Sequence, residues 1–363
     1  MPGTMTLSQL FEAPNLLFAL LVCTGFCLLL FLGSKFLPGT PAQGARLPNG
    51  VTPSYTLNGF LMMILTLAGV SLLSMSTSWF SLAVIPRLFW QFFIAANVIA
   101  FVLTLVLYLQ AKSRSSNIVK DLWYGADYNP TWWGVDLKLY AYRPSLIGLG
   151  LINLGFAAFQ YQRYGHITLA MGLYQGMTLF YLLSTFQYEH GLLSMWDMIE
   201  EKFGFMLIWG DLVLVPFFYC IPAYFLVDYH EPLSPWLAAG LVGVYVLGFW
   251  MFRGTNAQKN RFKRNPNAPI WGKRPEAIDG RLLVSGFWGL GRKLNYSGEI
   301  LIYLSWTAMN RLNSPWPYLL PLWLACLLIH RAWRDDKRCS QKYGELWDRY
   351  CQRVKFRMIP FIY

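Results

Sequence analysis

Charge is what this chain has least of. Asp, Glu, Lys and Arg make up 13% of its residues and hydrophobic types 55%, whereas an ordinary soluble domain is about 25% charged. That shortfall, with a mean hydropathy of +0.37, excludes a conventional water-soluble globule. Acidic residues are scarcer than basic ones, 18 against 30, leaving a net charge of +12. In so apolar a chain this reads as the excess of cytosolic Lys and Arg found in membrane proteins, not as a nucleic-acid surface. Histidine is rare: His166, His190, His230 and His330 are scattered, with no HExxH and no Cys/His zinc spacing, so no metal site is expected. The six cysteines include no CxxC and read as free thiols. The Gly-rich 285–291 stretch lacks Rossmann spacing and has no strand–helix–strand setting, which excludes a soluble-type dinucleotide fold. No basic n-region or small-residue cleavage site precedes the first apolar run, so it is read as a retained helix.

What is present is apolar sequence in long runs. A helix needs roughly 20 apolar residues to cross the hydrocarbon core, and about nine or ten stretches approach that length. Runs such as 15–32 and 92–109 do not alternate as barrel strands would. The fold class expected is an all-α polytopic membrane protein. Spans are expected at 11–36, 58–82, 87–109, 145–159, 166–186, 235–252, 300–309 and 316–328, with a proline-bent one inside 186–227. Three regions are expected: N-terminal membrane helices at 1–120, a central membrane region with the substrate pocket at 121–252, and a C-terminal cofactor-binding region at 253–363.

Ionisable residues beside apolar spans are costly and mark function. Glu189, Asp197 and Asp211 lie in or beside apolar sequence, and Pro216 and Pro222 should bend the helix that follows. Within 124–154, Asp127, Asn129, Asp136, Lys138 and Arg143 interrupt the apolar character, and the stretch reads either as an interfacial re-entrant loop with Trp132 and Trp133 at headgroup depth or as part of the pocket. Near the C-terminus three features fall within about ninety residues. Lys259 and Lys263, four apart, share a helix face and suit a phosphate, or else a solvated cytosolic loop. In 285–296, glycines allow close backbone approach, Trp288 offers a planar face, and Asn295 and Tyr296 offer hydrogen bonds. In 330–343, Arg331, Asp335, Cys339 and Tyr343 recur every fourth residue on one helix face, or form surface salt pairs.

These motifs resemble the membrane sterol reductases: the C14 and C7 reductases, the fungal C24(28) enzyme and the reductase domain of the lamin B receptor. GADYNPTWWGVDLK…RPSLIGLGLINL is similar to that family's first signature and LLVSGFWGLGRKLNYSGEI to its second. FGFMLIWGDLVLVPFFY, QKNRFKRNP and RDDKRCSQKYGELWDRYCQRVKFRMIPFIY stand between and after them in the same order, so the resemblance covers 122–363. It implies about ten transmembrane helices, NADPH as hydride donor, a sterol substrate within the bilayer, and a cofactor site facing the cytosol from the endoplasmic reticulum or a bacterial inner membrane. Carried over by motif, the cofactor contacts are Lys259, Lys263, Leu283, Trp288, Asn295, Tyr296, Arg331, Asp335, Cys339 and Tyr343. Lys263 stands where the family usually has arginine. Arg292-Lys293 departs from the Arg-His of C14 enzymes and is closer to the C24(28) type, so the expected position is C24(28) or C14, with C7 also open.

An isolated sterol alkene must be protonated before it accepts hydride. A buried carboxyl holds its proton more readily, because desolvation disfavours the charge, so Tyr181, Glu189 and Asp211 are the candidate acids, singly or as a relay. Tyr181 matches a family tyrosine. The rival readings are an isoprenylcysteine-type methyltransferase using S-adenosylmethionine and a non-catalytic sterol-binding protein. Oligomeric state is not legible.

Overall fold

In hydrocarbon the backbone must satisfy its own hydrogen bonds, so long apolar runs become helices. The computed structural model describes residues 12–229 and 231–359. It divides into two units, Met1–His230 and Glu231–Tyr363. The first contains α1 (Ala13–Phe36), α2 (Gly59–Ser76), α3 (Phe89–Gln110), α4 (Leu137–Tyr164), α5 (Leu169–Gln187) and the interrupted α6 (Phe205–Leu226). The second contains α7 (Pro235–Arg264), α8 (Leu294–Thr307), α9 (Leu319–Tyr343) and α10 (Glu345–Arg353). Among the described residues five helices, α1, α2, α3, α6 and α7, are long and apolar enough to cross a membrane. Their outer faces carry leucine and phenylalanine in the open, including Leu21, Leu29, Leu72 and Phe101. Helices apolar on every side belong in lipid, and the chain is a mostly helical, polytopic integral membrane protein. The expected start of the first span at Phe11, and the reading of the N-terminus before it, fall outside the described residues.

Local chemistry fixes where these helices begin and end. Asp136 caps α4 by accepting the Leu139 N–H at 2.8 Å, and Thr168 caps α5 through the Met171 N–H at 3.3 Å. Gly165, at φ 75°, closes α4 in the left-handed conformation. The Asn58 amide donates to the Leu37 and Gly33 carbonyls at 2.9 and 3.2 Å, tying the end of α1 to the start of α2. As Pro216 and Pro222 foretold, α6 is irregular. Gly210–Phe218 widens to a π-helix around Pro216, and Ile221–Leu226 resumes with Pro222 in its first turn.

Three short antiparallel hairpins were not anticipated. β1 (Thr40–Gln43) pairs with β2 (Ser54–Leu57), β3 (Thr131–Trp132) with β4 (Val135–Asp136), and β5 (Ala277–Ile278) with β6 (Leu282–Leu283). The β3–β4 turn places Trp133 at φ 49° and Gly134 at φ 79°, the geometry of the tightest hairpins. That leaves Trp133 exposed.

In the second unit α7 and α8 cross at glycines. A β-carbon at Gly248 would meet the Gly298 carbonyl at 2.7 Å, and one at Gly298 would meet that of Gly248 at 2.5 Å. Small residues at such a crossing let two membrane helices approach closely. The expected region boundary at 120/121 falls inside the first unit, and that at 252/253 falls within α7. The last apolar stretch and the polar sequence after it are one continuous helix, α9, so Arg331, Asp335, Cys339 and Tyr343 share its face as their spacing required.

Candidate functional site

The second unit gathers most of the expected cofactor residues around three elements. α7 runs through Lys259 and Lys263 before ending at Arg264, which stacks the two lysines one turn apart. The turn Phe287–Leu290 brings Trp288 beneath them: the Lys259 ammonium lies 4.9 Å from the Trp288 ring centroid. Gly286, at φ 60°, makes this approach possible, since a β-carbon there would strike the Gln258 side chain, which accepts the Phe287 N–H at 2.9 Å. Trp288 is buried with Phe262, Ile270 and Leu283, and its indole N–H donates to the Thr255 carbonyl at 2.9 Å. Leu283 and Trp288 therefore belong to one buried cluster, with the Lys259 ammonium over the Trp288 ring.

α9 contributes further charged groups. Cys339, Arg338 and Lys342 lie in the electrostatic neighbourhood of Lys259, as does Lys263. Lys259 and Lys263 on α7, and Arg338 and Lys342 on α9, are thus two basic pairs of the same four-residue spacing within this unit. Burial pushes the Cys339 thiol above its ordinary value in spite of the nearby cations Lys293 and Lys259. Cys339 and Tyr343 also pack on the core of α10, formed by Trp347, Tyr350 and Val354. The Tyr350 hydroxyl reaches the Trp288 carbonyl at 3.4 Å, which joins α10 to the Trp288 cluster.

Asn295, in the first turn of α8, donates to the Asn256 side chain at 3.5 Å, while its Oδ1 is buried with no hydrogen-bond partner among the described residues. Tyr296 is half-buried beside it, its N–H on the Lys293 carbonyl at 3.0 Å. Arg331 is half-buried on α9, one turn before Asp335.

Of the described residues in this unit whose ion pairs involve buried groups, only Asp335 was among the expected contacts. Arg292-Lys293 and Asp335-Asp336 are complementary dipeptides, and they pair across the fold. Lys293 forms an ion pair with Asp335; Arg292 reaches Asp336 at 3.5 Å, where Arg357 donates through Nε at 2.6 Å. Arg292 further donates to the Val354 and Lys355 carbonyls at 2.7 and 3.2 Å. Two basic neighbours and two acidic neighbours, each beside apolar sequence, were the available signal. Arg338 and Lys342 repeated the four-residue spacing of Lys259 and Lys263, and that signal too went unread.

In the first unit the three candidate acids are placed differently from one another. Glu189 is buried in an ion pair with Arg143 at 3.3 Å, and its other oxygen accepts the Gly59 N–H at 2.9 Å, capping α2. Arg143 also donates to the Thr56 carbonyl at 3.0 Å. Asp211 stands at the start of the π-helical turn, half-buried, with no hydrogen bond or ion pair among the described residues. Tyr181 is half-buried on α5, and its carbonyl accepts the Thr185 hydroxyl at 2.8 Å. No hydrogen bond among the described residues joins the three into a relay.

Comparison with known proteins adds the following. The pattern of the ergosterol biosynthesis ERG4/ERG24 family matches residues 3–363. A protein of Arabidopsis thaliana named Delta(14)-sterol reductase is 36% identical over 347 residues, covering 92% of this chain and 93% of its own length. The protein of that name in Methylotuvimicrobium alcaliphilum is 37% identical over 348 residues, covering 92% of this chain and 81% of its own. Delta(14)-sterol reductase LBR of Gallus gallus is 34% identical over 337 residues, covering 88% of this chain but 53% of its own.

Proposed function

The chain belongs to the ergosterol biosynthesis ERG4/ERG24 family, and from that membership we propose that it is an NADPH-dependent reductase of the sterol C14 double bond. Of the positions open from sequence, C14 is the one that the names of the relatives support. The Arg292-Lys293 pair, which leaned toward C24(28), has a different account: it is the partner of Asp335-Asp336. On this reading the remaining long helices, α4, α5, α8 and α9, also lie in the bilayer, toward the ten that the resemblance implies, with the basic end of α7 and α9 in the cytosol.

The residues of the second unit fit NADPH. The observation that carries this is the unpartnered buried acceptor Oδ1 of Asn295, whose amide reaches Asn256 on α7, one turn before Lys259, whose ammonium lies over the Trp288 ring and has Lys263, Arg338 and Lys342 among the charges that act on it. The four cations would hold the phosphates, lysine acting as a point charge and Arg338 through its planar fork. Asn295 Oδ1 would accept from an amide or hydroxyl donor, and Asp335 likewise. NADPH, when bound, supplies the hydride that completes saturation of the alkene.

The proton donor is sought among the three candidate acids. Glu189 has both oxygens committed, one to Arg143 and the other to the α2 N-terminus, and is the least suited of the three. Asp211 has neither a cation nor a donor to hold a charge, and it sits on a π-helical turn, a device common at functional sites. Tyr181 lies in apolar helix, where a sterol would rest. We assign the acid to Tyr181 or Asp211. Exclusion of water by the apolar helices protects the carbocation formed on the sterol.

The test uses purified full-length protein, NADPH and a panel of sterols differing only in alkene position, with mass spectrometry for a gain of two hydrogens. Reduction of the C14 alkene is expected. Tyr181→Phe and Asp211→Asn are compared at saturating NADPH, and the true acid is the one whose loss lowers kcat by about 100-fold or more, the usual worth of a general acid. If neither substitution changes turnover, the acid lies elsewhere. Methyl transfer from S-adenosylmethionine, or sterol binding without turnover, would overturn the reductase reading.

A further inference from the structure

Lys293 is buried, and it pairs with an acid more open than itself: the side chains of Lys293 and Asp335 are 8% and 22% exposed. Its root is fixed. The Lys293 N–H donates to the Arg357 carbonyl at 2.6 Å and the Arg292 N–H to that of Phe356 at 3.0 Å, so the chain at 354–358 is laid along this loop. Ser297 adds a bond from its hydroxyl to the Met358 carbonyl at 2.5 Å. The lysine therefore has little freedom except to reach α9. A buried ammonium is expensive to keep, and well-packed apolar residues usually serve stability equally well. Retaining one here makes sense if the acid it holds has work to do on its open side.

We propose that Lys293 is a positioning residue of the cofactor site: from behind, it fixes the Asp335 carboxylate so that the free oxygen of that group can accept a hydrogen bond from the dinucleotide. This rests on the reading that the second unit holds NADPH, and it adds a residue that the motif resemblance did not assign to the cofactor. A carboxylate repels phosphate, so the donor Asp335 serves is a hydroxyl or amide group common to NADPH and NADH. Lys293 does not touch the 2′-phosphate, and its loss affects both nucleotides alike. In this it differs from Lys259 and Lys263, whose assigned task is phosphate.

The proposal is tested by calorimetric titration of the purified full-length protein with NADPH and with NADH, alongside steady-state kinetics. Lys293→Met is expected to weaken both nucleotides by about tenfold, equivalent to about 1.4 kcal/mol, raising KM for NADPH with little change in kcat. Lys293→Arg, which keeps the charge, should bind within about twofold of wild type. Lys293→Met/Asp335→Asn should bind no more weakly than Asp335→Asn alone, because the two residues act as one unit. If Lys293→Met does not fold, Lys293→Gln takes its place with the same expected loss. Wild-type affinity in the uncharged variant, a loss confined to NADPH, or additive losses in the double variant would each overturn the proposal. Wild-type protein that binds neither nucleotide would instead overturn the cofactor assignment and the inference with it.

Discussion

Each unit buries one ion pair whose acid was expected at a functional site, and the two pairs differ in how much of the acid is left over. Glu189 in the first unit has one oxygen on Arg143 and the other on the Gly59 N–H, and its side chain is 6% exposed. Asp335 in the second has one oxygen on Lys293 and is 22% exposed. An acid with both oxygens engaged holds a fold together. An acid with one engaged and one available can meet a ligand. Position in an apolar sequence does not separate these cases, because both carboxylates look equally costly there. The inventory of partners separates them.

The sharpest break of this comparison is Glu189→Ala. It strands the Arg143 guanidinium in the interior and uncaps α2, and removing one partner of a buried pair costs about 3–5 kcal/mol. A fall in the thermal midpoint of the purified protein is expected, with nucleotide affinity unchanged in the fraction that remains folded. An unchanged midpoint would show that Glu189 is not structural and would return it to the list of candidate acids.

The next largest effect falls on the cation cradle. Lys259→Ala or Lys263→Ala should weaken NADPH by roughly 10- to 100-fold, the worth of one or two charge-assisted hydrogen bonds, and NADH much less. Titration with both nucleotides reads the difference. Equal losses for the two would remove the lysines from the 2′-phosphate and place them with Lys293 in a supporting role.

Much of this architecture was readable in advance. The apolar runs gave the long helices, the four-residue spacings gave the shared faces on α7 and α9, and Pro216 and Pro222 gave the irregular α6. These are local facts, set by 3.6-residue periodicity and by the missing proline N–H. What was not readable is non-local. Nothing near Glu189 in the sequence announces that Arg143, 46 positions earlier, will neutralise it. Nothing near Trp288 shows that it will pack in one cluster with Phe262, Ile270 and Leu283. Lys293 and Asp335 are 42 positions apart, and only the folded chain shows that two charged dipeptides are each other's partners. Motif resemblance identified residues that would face a ligand. It passed over the residue standing behind them.

The smallest effect, and the one that separates the roles of Lys293 most finely, is its response to pH. Burial first, and then the nearby charge of Lys259, push the Lys293 ammonium down from its ordinary 10.5 to about 8. Asp335 and Asp336 on α9, Cys339 on the same helix, Lys259 on α7 and the adjacent Arg292 are the charged and titratable groups around it. Between about 8 and 10.5 the unfolded chain binds more protons at this residue than the folded one, so its contribution to stability rises with pH across that window. Below about 8 both states are protonated, and the full cost of burying the charge is felt. Cofactor binding should move the other way. Once the ammonium loses its proton the hold on Asp335 weakens, and affinity for NADPH and NADH should fall severalfold as pH rises through that value. Lys293→Arg keeps its charge throughout and should flatten this part of the profile. If affinity and thermal midpoint instead rise together in wild type, the ammonium is only a burden on the fold, and Asp335 does not depend on it.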